Sequence, residues 1–343
     1  MHEVWLCSLP VCYLIVGQTD QPDWDFNMLT RREYLWNSAL LGAACALPAG
    51  LLRAFESGDL ITRAIPKTGE ELPIVGLGSS ATFRSVAQSD DKTALMRVIE
   101  TLVHNGGTVL DTAPAYGASE EVCGQLARDG GMTDKIFWAT KVNVVPRGGG
   151  SANSDAARAQ VERSFDRIGK DPIDLIQVHN LADLPTQIGV IKELREDGRI
   201  RYIGATSTRH SRYADLEKAM RNYPLDFIGV DYAVDNRLSA ERILPLAQEL
   251  GIAVLVYVPF GRTRLWKRVN GMEVPDWARE FGADSWGRFF IKFAAAHPAV
   301  TCVTPATSKA RHMLDNIGAA YGELPDAATQ RKMEQFVDAL PSA

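Results

Sequence analysis

Eight short apolar runs alternate with stretches of helical periodicity along most of this 343-residue chain, and that alternation restricts the fold more than any other feature. The runs begin near Pro73, Thr108, Ile136, Ile173, Ile200, Phe227, Ala253 and Val300. Between them lie patterns such as residues 155–168, where Ala157, Val161, Phe165 and Ile168 share one helical face. Strand, helix, strand at this spacing calls for parallel pairing, because a parallel neighbour is reached only through a long crossover. Eight such units close into a (β/α)8 TIM barrel, an α/β single domain whose functional groups gather at the C-terminal ends of the strands. The rival is an open doubly wound sheet, which would carry a G-x-G-x-x-G turn between a strand and a helix. The nearest match, Gly76-Leu77-Gly78-Ser79-Ser80-Ala81, lacks the third glycine and shows no helix start after it. Residues 326–340, with Ala328, Met333, Phe336, Val337 and Leu340 on one stripe, read as an extra C-terminal helix.

Three of the runs end in titratable groups. Val109-Leu110-Asp111 leads through Thr112-Ala113-Pro114-Ala115 to Tyr116-Gly117, residues 136–140 lead to Lys141, and residues 173–178 lead to His179. A barrel would therefore deliver an acid, a phenol, an amine and an imidazole to one mouth. A phenol with a pKa of about 10 is a weak proton donor at neutral pH and needs a neighbouring cation. Lys141 can be that cation, and Asp111 the counter-ion that makes a buried ammonium tolerable. His179 could orient a carbonyl oxygen by hydrogen bonding. Such a set suits a reaction in which charge develops on a carbonyl oxygen while hydride reaches the carbon. No side chain donates hydride, so a nicotinamide cofactor is implied.

From about Leu72 to Asn316 the chain resembles an aldo-keto reductase. The resemblance rests on four motifs in order: residues 111–117, like the family's D-T-A-x-x-Y-G; residues 139–142, like its lysine strand; residues 174–179, like its histidine strand; and Thr304-Pro305-Ala306-Thr307-Ser308 with Asp315-Asn316, like its cofactor segment. It implies Tyr116 as general acid, Asp111 and Lys141 as the pair that sets the phenol's pKa, and His179 as the substrate-orienting group.

The cofactor side departs from the family pattern. After residues 201–204 the family's Ser-Asn is Thr206-Ser207, which keeps a hydroxyl and loses an amide. The position that usually holds Gln is Gly229. Tyr257 matches the aromatic that stacks on nicotinamide, and Phe260, Gly261 and Arg262 match the loop over the pyrophosphate. Gly78 and Ser79 would let backbone approach the nicotinamide end, with Asp111 beside them. Thr307, Lys309, Asp315 and Asn316 complete the implied cofactor set. The family's phosphate-selecting Lys and Arg fall on Ala306 and His312, with Lys309 and Arg311 close by, so the cofactor is expected to be NADP, with NAD the alternative. The long connection after Pro259 runs through Trp266, Trp277 and Trp286; Trp266 and the tract from Arg262 to Arg268 are candidates for gripping the cofactor or an acceptor, the alternative being that the Trp residues only pack the loop down.

Composition limits the remaining classes. The chain is 46% hydrophobic and 23% charged, with a formal net charge of −5. Five acids and two arginines fall within residues 1–46, so the barrel is close to neutral and offers no basic surface for nucleic acid. Cysteines 123 and 302 read as free buried thiols, and no metal-ligand spacing is visible. Thr30-Arg31-Arg32-Glu33-Tyr34-Leu35-Trp36 resembles the twin-arginine export motif, precedes an uncharged run, and is followed by Ala44-Cys45-Ala46, a small-residue cleavage site. Residues 1–27 are acidic and fit an over-long start, residues 28–46 a signal peptide cleaved near Ala46, residues 47–69 a linker, and residues 70–343 the barrel. Membrane contact would then be transient, and the mature protein periplasmic or otherwise exported. It would be cytoplasmic if the leader is not used. The expected partner is a small aldehyde, ketone or sugar-like alcohol, and nothing signals an oligomeric state. A second functional class stays open: an exported nucleotide-binding sensor or accessory protein with little turnover, motivated by the weakened anchors at Ser207 and Gly229.

Overall fold

In a computed structural model, residues 59–89 and 91–341 are described. The export motif and its flanks, residues 1–58, lie outside them. Eight parallel strands form one sheet in chain order: β3 (Leu77–Gly78), β4 (Val109–Asp111), β5 (Phe137–Val142), β6 (Ile173–Val178), β7 (Ile200–Ser207), β8 (Phe227–Asp231), β9 (Ala253–Tyr257) and β10 (Cys302–Val303). Bridges from Val75 to Val303 and from Gly78 to Ala306 join the first strand to the last, which closes the barrel. All eight strands lie within four residues of the positions read from sequence.

The strands are apolar because both faces are covered. Inward residues form one cluster with Val109, Phe137, Leu175, Tyr202, Phe227, Leu255 and Tyr257. Outward ones, such as Leu110, Trp138, Ile176 and Val254, join a larger cluster against the helices. The major helices on that outer layer are α2 (Thr93–His104), α3 (Ser119–Asp129), α4 (Ser154–Ile168), α5 (Leu184–Glu196), α6 (Tyr213–Asn222), α7 (Leu238–Glu249), α10 (Trp286–Ala295), α11 (Ala310–Gly318) and α12 (Ala327–Asp338). Helix α4 starts on the Asn153 side chain, which accepts from the Ala156 N–H, and stops at left-handed Gly169. The extra C-terminal helix is present as α12, capped by Asp326. Among the described residues no helix is long and apolar enough to cross a membrane.

Two elements differ from the sequence reading. A short helix, α1 (Thr82–Ala87), does follow Ser79-Ser80-Ala81. It begins at Ala81 without a capping side chain, so nothing marked its start. Residues 59–69 are not linker: β1 (Thr62–Ala64) pairs antiparallel with β2 (Glu71–Pro73), and the buried Ile65 joins the interior cluster. Arg63 bonds the carbonyls of Ala295 and Pro298, and Lys67 bonds Asp226, so the hairpin seals the N-terminal end of the barrel. Two minor helices in the β9–β10 connection, α8 (Arg264–Arg268) and α9 (Asp276–Arg279), fold over the rim. Trp277 and Trp286 pack against Phe289 and Phe336, which settles those two as packing residues. Trp266 packs on Phe260 and keeps 41% of its surface exposed.

Candidate active site

Asp111 ends β4, and Lys141 is the penultimate residue of β5, which pairs with β4. Both are 2% exposed. The Lys141 ammonium donates to both Asp111 carboxylate oxygens at 2.7 Å and to the Thr112 carbonyl at 2.8 Å. Its three N–H groups are thus matched by three acceptors, which is how a desolvated ion pair becomes stable rather than costly.

A turn after β4, closed by the Tyr116 N–H on the Ala113 carbonyl at 2.9 Å, swings Tyr116 back over the mouth. Gly117 follows with φ +64°, a conformation that favours glycine. The Lys141 Nζ lies 5.0 Å from the Tyr116 ring centroid and 5.1 Å from that of Tyr257, so the ammonium sits between two aromatic rings. His179, directly after β6, meets Tyr116 edge-on with ring centroids 5.8 Å apart. Asp111, Tyr116, Lys141 and His179 are therefore gathered at one end of the barrel.

The electrostatics correct one expectation. Burial pushes the Tyr116 phenol above its ordinary value, and the charge of Lys141 pulls it back only in part. The acidified phenol expected from sequence does not arise in this state because desolvation of the anion outweighs the ammonium. Burial and the nearby Lys141 charge hold the His179 imidazole down at about 3, so it is neutral at physiological pH. Lys141 is held above the usual lysine range: burial opposes its charge, but Asp111 and Tyr116 together outweigh burial.

The remaining sequence-derived residues sit on the same rim in different states of engagement. Gly78 is required by packing, since a Cβ there would come within 2.7 Å of the Thr304 carbonyl on the neighbouring segment. The Ser79 hydroxyl is buried without a partner. Thr206 accepts from the Asn180 N–H at 3.0 Å and keeps its own hydroxyl proton to donate. Ser207 accepts from the Arg209 N–H at 3.3 Å, closing a local turn. Phe260 packs inward on Trp266 and Phe290. Gly261 and Arg262 are left-handed, with φ +56° and +62°, and line a cleft of about 80 Å³ with Thr208, Asp231, Asn236 and Arg264. Thr307 accepts from the Lys309 N–H at the start of α11. Asp315 accepts from Ser285 at 2.7 Å and pairs with Arg288, and Asn316 is buried on the same helix.

Tyr257 stands inside the barrel rather than on its rim. It is 9% exposed, and its hydroxyl lies 3.0 Å from Asp111 Oδ1 and 3.0 Å from Gln177 Nε2. Sequence reading gave Gln177 no role, although it lies two residues before His179 and so faces the same side of the strand. That spacing was the available signal.

Three buried polar atoms, Ser79 Oγ, Thr112 Oγ1 and Gln177 Oε1, have no hydrogen-bond partner among the described residues. The model of the aldo/keto reductase family matches residues 74–334. The chain belongs to that family. It is 27% identical over 297 residues to aldo-keto reductase str7 of Strobilurus tenacellus, covering 76% of this chain and 86% of the relative. It is 33% identical over 205 residues to aldo-keto reductase YhdN of Bacillus subtilis, covering 57% and 60%. A solved aldo-keto reductase from Klebsiella pneumoniae in complex with NADPH shares the fold at TM-score 0.66 and 20% identity, over 81% of this chain and 95% of that one.

Proposed function

We propose that this aldo/keto reductase family member is an NADPH-dependent reductase of small aldehydes and ketones, or of sugar-like alcohols in reverse, with Tyr116 as general acid. The observation that carries the reading is the buried Lys141–Asp111 pair set beside Tyr116 and His179 at one barrel mouth. The NADPH-bound Klebsiella structure with the same fold supports the choice of cofactor. The dinucleotide would lie across the rim, met by Ser79, Thr206, Arg262 and the start of α11. There Lys309 and Arg311 are exposed and form no ion pair among the described residues, leaving two cations for a ribose phosphate.

When bound, the nicotinamide supplies hydride. Tyr116 passes its proton to the carbonyl oxygen as negative charge grows there, and Lys141 stabilises the phenolate left behind. Asp111 keeps Lys141 protonated within a dry interior. His179, being neutral, has one N–H to orient the carbonyl oxygen. Purified protein given NADPH and a panel of aldehydes should consume the nucleotide in proportion to alcohol formed. Tight NADPH binding without turnover on any carbonyl would instead support a sensor.

Residues 30–36, with the uncharged run and Ala44-Cys45-Ala46 behind them, support a twin-arginine leader and an exported enzyme. Replacing Arg31 and Arg32 by Lys should retain the protein in the cytosol on fractionation, and unchanged export would contradict the leader.

A further inference from the structure

The glycine at 229 and the tyrosine at 257 fit one another. A Cβ on Gly229 would lie 2.2 Å from Tyr257 Cε2, 2.7 Å from Cζ and 2.8 Å from the hydroxyl oxygen. Gly229 is mid-strand in β8 and is absent from the left-handed glycines, so its backbone conformation does not call for glycine. A glycine in a strand interior weakens it through chain entropy and lost packing. What the missing side chain provides is the space for the ring.

In that space the Tyr257 hydroxyl joins a short chain of hydrogen bonds. An ionised Asp111 can only accept, so Tyr257 donates to its Oδ1 at 3.0 Å. The phenol oxygen then accepts from Gln177 Nε2 at 3.0 Å, which leaves Gln177 Oε1 buried and unpaired. A buried amide that gives up its acceptor to serve one phenol fixes the direction of the chain. Lys141 Nζ lies 5.1 Å from the Tyr257 ring centroid, so both members of the ion pair touch this one side chain.

We propose that Tyr257 is a positioning residue for the catalytic ion pair, and that Gly229 is the niche that admits it. The inference rests on the reductase reading above and adds a group that acts through Asp111. With Tyr257 on Oδ1, the carboxylate has a second donor beside Lys141 as negative charge builds on Tyr116, so Asp111 stays ionised through the proton transfer. The loss of an amide at position 229 is therefore the gain of a second donor for Asp111.

Tyr257→Phe separates this role from packing, because it keeps the ring and removes only the hydroxyl. The acid limb of the kcat/KM profile for aldehyde reduction should move up by about one pH unit and kcat should fall about tenfold, the effect of one hydrogen bond to a buried charge. NADPH affinity, read by fluorescence, should stay within about twofold, as the ring is kept and only its hydroxyl, turned to Asp111 and Gln177, is lost. Carbon-13 NMR titration of the Asp111 carboxyl, assigned with Asp111→Asn, should show the same upward movement without any need for turnover. An unmoved Asp111 titration overturns the proposal even if the wild type reduces no carbonyl, whereas absent turnover with a moved titration overturns only the reductase reading. Gly229→Ala should lower the thermal midpoint in the wild type but not in Tyr257→Leu, where the clashing ring atoms are gone. Equal losses in both backgrounds overturn the niche.

Discussion

Lys141 places all three N–H groups on fixed acceptors, so its contribution to proton transfer is a charge held still rather than a proton given away. A neutral His179 beside it follows from the same arrangement, since burial and the ammonium both oppose a second positive charge. This has a measurable consequence for stability. An unfolded imidazole takes up its proton near 6.5, whereas the folded one waits until about 3. Between those values the unfolded state binds more protons, so stability rises with pH across that window and is lost as pH falls through it. His179→Gln removes the group and should flatten that slope in urea unfolding measured from neutral to acid pH. Identical pH dependence in the two proteins would show that His179 is already charged in the fold. The four candidate positions were legible because each ends or follows an apolar run, and resemblance supplied the roles proposed for them. The depressed imidazole and the raised phenol were not legible, because desolvation depends on neighbours that no linear pattern reveals.

Strand β6 shows how one element serves two ends of the barrel. At its start, Asp174 accepts from the Trp138 N–H at 2.8 Å, from Lys170 at 2.6 Å and from Arg201 at 2.7 Å. At its finish stand Gln177 and His179. The first end joins strands to the sealing hairpin through Arg201 and Glu70, and the second faces the candidate site. Asp174→Ala leaves a buried N–H and two cations without their acceptor, so it should cost about 3 kcal/mol of unfolding free energy. Its kcat should stay within about twofold of wild type, because the loss lies at the face remote from the reaction. A large fall in kcat with intact stability would mean that the two ends are coupled. At this scale the sequence revealed strands and long helices through periodicity, yet hid the β1–β2 hairpin and α1. Three-residue strands carry no alternation to detect, and α1 starts at Ala81 without a capping signal. Gly229 read as a missing anchor, since an absent side chain does not say what fills its place.

Among the described residues the barrel is a closed cylinder whose N-terminal end is sealed by the hairpin. Rings of Phe137, Tyr202 and Phe227 pack against one another in the interior, and the hairpin covers the N-terminal face. An ion pair at the other end is thereby dry on its inner side, which is why its fields are strong and why its partners must be complete. The loop after β9 folds over that rim through Phe260 and Trp266 and leaves a cleft beside Arg262. The barrel was legible as eight strands in order. Eight units implied closure, but the residues that make it, Val75 with Val303 and Gly78 with Ala306, were not legible, because those contacts join the two ends of the sheet across more than two hundred residues. The assembled mouth makes one demand above others, that the proton reaching the carbonyl oxygen comes from the phenol at 116. The rate of aldehyde reduction by Tyr116→Phe, at saturating NADPH and with nucleotide affinity measured separately, tests this most directly. That variant should bind NADPH as the wild type does and lose at least about a hundredfold in kcat/KM, the usual worth of a general acid; a rate within about twofold of wild type would contradict it.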